Sequence, residues 1–275
     1  MRKILGALLF FFGTAVPAIA QTYSEILDGD AQVERSGAIF RVGRGARIFE
    51  GDRLAISRRV QILLPYGAAV ITKREGSMRF SLLRREGCGI RVHMVYRGGI
   101  GAKARPKTCR DSAIVFENYG SGAYFSPWAN RQARLIPNTL IAEASPVSVG
   151  SEFALADRGD SALLAVADGA VEAQNQNVAI NVLNGQGNIT EKGKPPGPAI
   201  ALDTALTLKL NPSVTPFGYR LNAGLNPLNS LFYHGTEILP LREIEWPVLG
   251  NSLDLEVRGV DGRSRFHSFP LPRRR

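Results

Sequence analysis

Histidine and cysteine are scarce in this chain of 275 residues, with three of the first and two of the second. That scarcity excludes several kinds of chemistry. His93, His234 and His267 stand far apart, none in an H-E-x-x-H frame and none with a carboxylate or second histidine at metal-ligand spacing, so they read as strand-face residues. A serine-nucleophile elbow is missing, because Ser121 in NYGSGAY has glycines immediately on both sides and not one residue further out. A phosphate loop is missing too: five residues separate Gly187 from Gly193, and Pro195 follows Lys194 where a magnesium-binding Ser or Thr would stand. GGIGAK at 98–103 departs from the dinucleotide fingerprint. No apolar run reaches the ~20 residues of a membrane-spanning helix, and helical periodicity is hard to find anywhere.

What is present begins with MRKILGALLFFFGTAVPAIA, in which Arg2 and Lys3 precede an apolar run that ends in Ala18-Ile19-Ala20. This is the pattern of a secretory leader cleaved after Ala20, and it sets the expectation of a periplasmic or secreted product. An oxidising compartment favours a disulfide between Cys88 and Cys109, 21 positions apart, over a metal site or a reactive thiol, neither of which has partners at suitable spacing.

The formal net charge is +10, or +8 once Arg2 and Lys3 are removed. The excess lies in one place. Lys73, Arg74, Arg79, Arg84, Arg85, Arg91, Arg97, Lys103, Arg105, Lys107 and Arg110 face only Glu75 and Glu86 between positions 73 and 110, a local +9. Such a segment attracts anionic partners, and these eleven cations are the expected contact residues; a solvated, disulfide-pinned loop is the plainer reading. Nucleic acid is not expected as the partner, since Phe80 and Tyr96 are the only aromatics interleaved with the charges.

Apolar segments of three to six residues separated by SG, GRG, EGD and YG fill the stretch from Gly29 to Thr72, and AQVER and AIFRV alternate cleanly. They predict strands and tight turns. IRVHMVYR at 90–97 reads as a strand and GGIGAKARPKT after it as a loop; SAIVFENY, AYFSPWA and RQARLIPNTLIAEA follow as further strand candidates. VGSEFALADRGDSALLAVADGAVEAQ, residues 149–174, predicts two strands and a third opening at Val171, with ADRGD and Asp168-Gly169 as corners. Asp157, Asp160 and Asp168 are read as turn residues, because they lack the D-x-D-x-D ladder of a calcium loop. DGDAQVERSGAIFRVGRGARI at 28–48 is echoed by ADGAVEAQNQNVAINVLNGQGNI at 167–189, which predicts similar hairpins in the first and last parts of one domain. KGKPPGPAI marks a connector, and TALTLKLN, GYRLNA, SLFYHG, EIEWP, SLDLEVRG and RFHSFPLP beyond it suit a small β-sandwich. The expected layout is a leader at 1–20, a β domain at 21–191 with the basic stretch around 73–110 as an insert, a linker at 192–203 and a sandwich at 204–275.

GDAQVER, Gly45 and Gly51-Asp52-Arg53-Leu54-Ala55-Ile56-Ser57 resemble the opening motif of the FecR-type periplasmic domain of bacterial envelope proteins, with Ser57 for the usual Thr and Tyr66-Gly67 for the commoner Asp-Gly. Val149-Gly150-Ser151-Glu152-Phe153, Val166-Ala167-Asp168-Gly169-Ala170-Val171 and Gly185-Gln186-Gly187 resemble its closing motif. PLREIEWPVLGNSLDLEV is similar to a strand pair of the Ig- or fibronectin-III-like tails that follow secreted members. The resemblance implies an all-β solenoid or roll followed by a small sandwich, acting as an interaction domain without the anti-sigma and transmembrane segments of the iron-uptake regulators. The expectation is therefore a non-enzymatic binding or scaffold protein with no cofactor, whose partner is an envelope protein or an anionic envelope component. The alternative is a carbohydrate- or cell-wall-acting protein with two carboxylates in a cleft.

Overall fold

The computed structural model describes residues 21–127, 150–215, 218–238, 244–246 and 252–271. The expected leader and the stretch RQARLIPNTLIAEA lie outside them. The strands in chain order are β1 (Tyr23–Asp28), β2 (Ala31–Arg35), β3 (Ala38–Val42), β4 (Arg47–Phe49), β5 (Arg53–Ile56), β6 (Val60–Leu63), β7 (Ala69–Lys73), β8 (Gly76–Glu86), β9 (Gly89–Arg97), β10 (Ile100–Ala104), β11 (Ala113–Asn118) and β12 (Tyr124–Ser126). They continue as β13 (Ser151–Asp157), β14 (Ser161–Asp168), β15 (Ala170–Asn175), β16 (Val178–Leu183), β17 (Gln186–Glu191) and β18 (Ile200–Ala201). A C-terminal module follows, with β19 (Leu208–Thr215), β20 (Gly218–Leu225), β21 (Ser230–Tyr233), β22 (Thr236–Ile238), β23 (Ile244–Trp246), β24 (Ser252–Arg258) and β25 (Ser264–Pro270). The protein is all-β, as expected.

The chain shuttles between two nine-stranded sheets. The first runs β18, β17, β14, β13, β10, β7, β6, β1, β4 and the second β16, β15, β12, β11, β9, β8, β5, β2, β3, antiparallel at every junction except β9 with β11. Their inner faces share one core: Ile26, Ile62, Ile71, Phe153 and Leu164 from the first sheet meet Val33, Phe80, Met94, Phe116 and Val171 from the second. Phe116 and Phe153 touch edge to face across the gap at 5.4 Å between ring centres, a geometry the aromatic quadrupole favours.

Local pattern explains the edges. In β2, Ala31 and Val33 are buried while Gln32 and Glu34 are exposed, the period of two that a half-buried strand requires. Ser36 and Gly37, at φ 51° and 82°, turn β2 into β3, and Gln176 and Asn177, at 48° and 62°, turn β15 into β16. Both are two-residue turns with positive φ, whose twist matches that of the flanking strands. The echo between residues 28–48 and 167–189 thus corresponds to two hairpins at opposite edges of the second sheet. Asp52, in the Gly-Asp pair before β5, is buried and accepts hydrogen bonds from Arg35 at 2.6 and 2.7 Å and from the Phe49 amide at 2.8 Å.

The basic stretch corrects one expectation. GGIGAKARPKT is not wholly a loop, and residues 73–110 are built into both sheets: β8 and β9 lie in the middle of the second sheet and β10 in the middle of the first, between β7 and β13. Pairing on both sides holds Ile100-Gly-Ala-Lys-Ala104 extended although Gly and Ala are weak strand formers, a case of tertiary context outweighing local preference.

SALLAVA in β14 shows no alternation because both of its faces are covered. Leu164 and Val166 face the main core, while Leu163 and Ala165, with Ala154 of β13, pack against Leu228 and Val260 of the C-terminal module. Arg158 strengthens that contact, donating from Nη2 to the Asn229 carbonyl at 2.8 Å and from Nη1 to the Pro227 carbonyl at 3.4 Å. The module itself is a pair of small sheets, β19, β20, β23 and β22, β21, β24, β25, around Leu208, Leu231, Leu253, Leu255 and Val257. Ile200 and Ala201 of the Pro-rich connector add β18 to the edge of the first sheet.

Candidate functional site

The structure separates the eleven basic residues into distinct environments. Lys73 is buried, with its ammonium donating to the carbonyls of Glu75, Arg97 (2.6 Å) and Gly99 (3.1 Å); burial pushes its pKa down to about 8. Three carbonyls saturate its three protons, so it offers nothing to an external partner. Arg74 is half-buried against Gly262 of the C-terminal module, near Asp261, and burial lowers its pKa.

Others spread over exposed faces and are met by neighbours. Arg84 forms a fork with Glu50 at 3.1 and 3.2 Å, whose hydrogen bonds hold the Glu50 carboxyl below its ordinary range. Arg91 pairs with Glu86, and Lys103 with Glu152 at 3.2 Å. Arg97 lies 4.6 Å over the Tyr119 ring. Arg79 is exposed opposite Arg53 on β5. Exposed pairs of this kind contribute about 0–1 kcal/mol each and do not converge on a common point.

Four cations gather elsewhere, at the end of the sandwich closed by the disulfide. Cys88 and Cys109 are bonded, with Cα atoms 5.8 Å apart, and tie the β8–β9 turn to the segment joining β10 to β11. A cleft of about 130 Å³ opens there, lined by Tyr66, Gly67, Cys88, Arg105, Thr108 and Ser112 among others. Arg105 packs on Gly67, its Nη1 3.1 Å from where a β-carbon would stand. Arg85 approaches from the second sheet, 5.9 Å from the Tyr66 ring centre. Lys107, its pKa lowered by burial, and exposed Arg110 stand on the same 105–112 wall. That wall is fixed by the Arg105 amide donating to the Ala68 carbonyl at 2.9 Å and the Ile90 amide donating to Ser112 Oγ at 3.2 Å.

Tyr66 is the residue that sequence reading missed. It is 69% exposed and its φ is 57°, a left-handed conformation that costs a non-glycine residue of order 1–3 kcal/mol and recurs at ligand clamps. The signal was its place in Tyr66-Gly67, where a small turn residue carries no such cost. A volume near 130 Å³ is well below the ~300–1,000 Å³ of drug-sized pockets. It suits one charged group resting beside an aromatic platform, not an enclosed substrate.

Among the described residues, the remaining polar groups give no second cluster of cations around an exposed aromatic ring. Among the described residues, the one group of potential metal ligands is Cys88, Cys109 and Asp111, and its sulfurs are bonded to each other. His93 Nε2 lies 2.9 Å from Glu117 on the outer face of the second sheet, and His267 Nε2 2.8 Å from the Leu206 carbonyl. Asp168 accepts the Gly169 amide at 2.9 Å, which is turn chemistry. A second hollow, of about 450 Å³, is lined by Asp30, Arg41, Ser57 and Arg58 among others, with Asp30 and Arg41 paired at 2.8 Å.

Glu172 on β15 is 7% exposed, and burial pushes its carboxyl up to about 7. Its folded pKa exceeds the unfolded value, so the native state holds more protons between about pH 4.5 and 7 and loses stability as pH rises through that window. Glu172→Gln is therefore expected to be more stable than the parent by about 1–3 kcal/mol at pH 8 and equal to it at pH 4, measured by urea unfolding. Equal stability at both pH values would contradict this.

No family model and no curated protein matches the chain. Two crystal structures of a proposed anti-sigma factor from Parabacteroides distasonis, at 1.65 and 2.50 Å, align with a TM-score of 0.38 and 12% identity over 56% of this chain. The aligned region spans 61% of that protein's chain. Similarity at this level assigns no function.

Proposed function

We propose that this chain is a non-enzymatic binding or scaffold protein of the cell envelope or its exterior, whose disulfide-closed end docks an anionic group. Arg105 in the cleft and Arg85 beside exposed Tyr66, with Lys107 and Arg110 on the adjoining 105–112 wall, carry the reading. The disulfide is compatible with an oxidising, extracytoplasmic setting, and among the described residues no helix is long and apolar enough to cross a membrane. The cleft's lining holds no carboxylate, with Asp111 within 4.8 Å of the disulfide sulfurs on the same wall, and the second hollow has Asp30 alone; neither shows the carboxylate pair of the hydrolytic alternative, which favours binding. Envelope signalling is the finer form of this proposal, carried by the FecR-type resemblance of the two motifs.

Deleting residues 73–110 would remove central strands from both sheets, so the test is charge reversal at the surface. Binding is measured by co-sedimentation with phosphatidylglycerol vesicles and by titration with a soluble anionic polysaccharide, with zwitterionic vesicles as control. At about 1 kcal/mol per cation near an anionic surface, Arg85→Glu with Arg105→Glu is expected to weaken binding about 100-fold or more. Arg79→Glu, on the outer face, is expected to change it less than about threefold. Equal losses from both variants would reduce the effect to net charge; no loss from the double variant would remove the cleft from the mechanism.

A further inference from the structure

The core of the main sandwich ends in a polar layer on the side away from the disulfide. In β7, β9, β11 and β13 alternate side chains face inward, through Ile71, Met94, Phe116 and Leu155. The next inward positions are Lys73, Tyr96, Asn118 and Asp157, two from each sheet. Tyr96 and Asn118 are 1% and 0% exposed and stand opposite each other on the parallel pair of β9 and β11.

Hydrogen bonds satisfy only part of this layer. Lys73 gives its three protons to carbonyls, and Asn118 Oδ1 accepts from the Ser121 amide at 2.7 Å and from Ser121 Oγ at 2.9 Å. Three buried atoms, Tyr96 Oη, Asn118 Nδ2 and Asp157 Oδ1, have no hydrogen-bond partner among the described residues. They are neighbours. Burial and then the Asp157 charge raise the pKa of the Tyr96 hydroxyl, and the Asn118 side chain opposes them. Asp157 Oδ1 lies 3.3 Å from where a β-carbon on Gly120 would stand, two residues beyond Asn118. The same β-carbon would stand 1.8 Å from the Gly159 carbonyl oxygen, so the 118–122 turn closes directly on the 157–160 corner with no side chain between them.

We propose that Tyr96 Oη, Asn118 Nδ2 and Asp157 Oδ1 form a binding site for one buried water molecule that joins the two sheets. The amide nitrogen can only donate, the carboxylate oxygen accepts, and the hydroxyl does either. A ligand serving all three must therefore accept from Asn118 and donate to Asp157. Water does both, and about three hydrogen bonds is the usual complement of a buried water. A metal cation or an ammonium ion has no acceptor for Asn118 and would share the layer with the Lys73 ammonium, which already feels the Asp157 charge. A chloride ion would face the Asp157 carboxylate. The site also bears on the C-terminal module, because Asp157 precedes Arg158, which donates to the Asn229 carbonyl of that module at 2.8 Å. Fixing Asp157 fixes the corner from which Arg158 reaches across.

High-resolution crystallography of the chain, with oxygen-17 relaxation dispersion of water in solution, tests the proposal. One ordered water within about 3.2 Å of all three atoms is expected, and the dispersion is expected to report a long-lived internal water. Gly120→Ala, which forces the turn off the Gly159 carbonyl, is expected to shorten its residence time about tenfold or more by easing local opening. Gly43→Ala, where a β-carbon has only an ordinary contact at 3.8 Å, serves as the control and leaves it unchanged. Circular dichroism establishes that each variant is folded, and the parent crystal structure decides alone if Gly120→Ala is not. A direct hydrogen bond from Tyr96 Oη to Asp157 with no density between the three atoms, a metal ion at their centre, or an unchanged residence time in folded Gly120→Ala would each overturn the proposal.

Discussion

Lys73→Met is expected to lower the free energy of unfolding by about 3–5 kcal/mol, the largest effect of any substitution considered for this chain. The ammonium of Lys73 is the shared donor for the carbonyls of Glu75, Arg97 and Gly99, which belong to two turns that close over it. Those turns approach so tightly that a β-carbon on Gly76 would stand 2.5 Å from the Arg97 carbonyl oxygen, and one on Gly98 2.6 Å from that of Glu75. Both glycines also have φ near +80 to +90°, open to Gly at little cost. Methionine fills similar volume but takes the ammonium donor from the Glu75 and Arg97 carbonyls and leaves the Gly99 carbonyl with the Arg74 amide alone, at 3.3 Å, each lost bond a desolvation cost of about 1–3 kcal/mol before relaxation.

Lys73 also has a pH signature. Its folded pKa of about 8 lies below the ordinary 10.5, so the unfolded state binds the extra proton between those values and stability rises with pH across that window. The parent should gain on Lys73→Met between pH 8 and 10 in urea titrations followed by circular dichroism. A loss below about 1 kcal/mol at pH 7 would mean that water replaces the ammonium at no great cost.

Replacing Cys88 and Cys109 by Ser is expected to cost about 3 kcal/mol, the loop-closure value for a 21-residue separation. For a domain of this size that corresponds to a fall of about 6–12 °C in the melting temperature. The bond ties the 105–112 wall to the β8–β9 turn, so anion binding should weaken in the same variant below its melting point. Calorimetry with and without reductant checks the first part; an unchanged melting temperature on full reduction would contradict it.

Much of the fold was legible where alternation is regular. AQVER and AIFRV became β2 and β3 with the bounds their pattern implies, and the Asp-Gly and Ser-Gly corners turned where expected. β8 was obscured by an irregularity in its pairing between Phe80 and Leu82, which shifts the inward positions from Met78 and Phe80 to Leu83 and breaks the period of two. β10 was obscured because Gly and Ala give no alternation in size. The candidate site was half legible: charge density drew attention to the stretch, but one-dimensional counting cannot tell an arginine facing a cleft from a lysine enclosed by two turns. Lys73 looks like Lys103 in the sequence, and only the approach of Gly76 and Gly98 makes it a core residue.

Hydrogen–deuterium exchange of the intact chain, with and without the soluble anionic polysaccharide, tests the placement of the binding surface most directly. Slowed exchange confined to residues 64–68, 85–90 and 104–112 is the predicted footprint. Protection centred on the outer face of the second sheet around Arg79, Arg91 and Arg97, with the disulfide end unchanged, would contradict it.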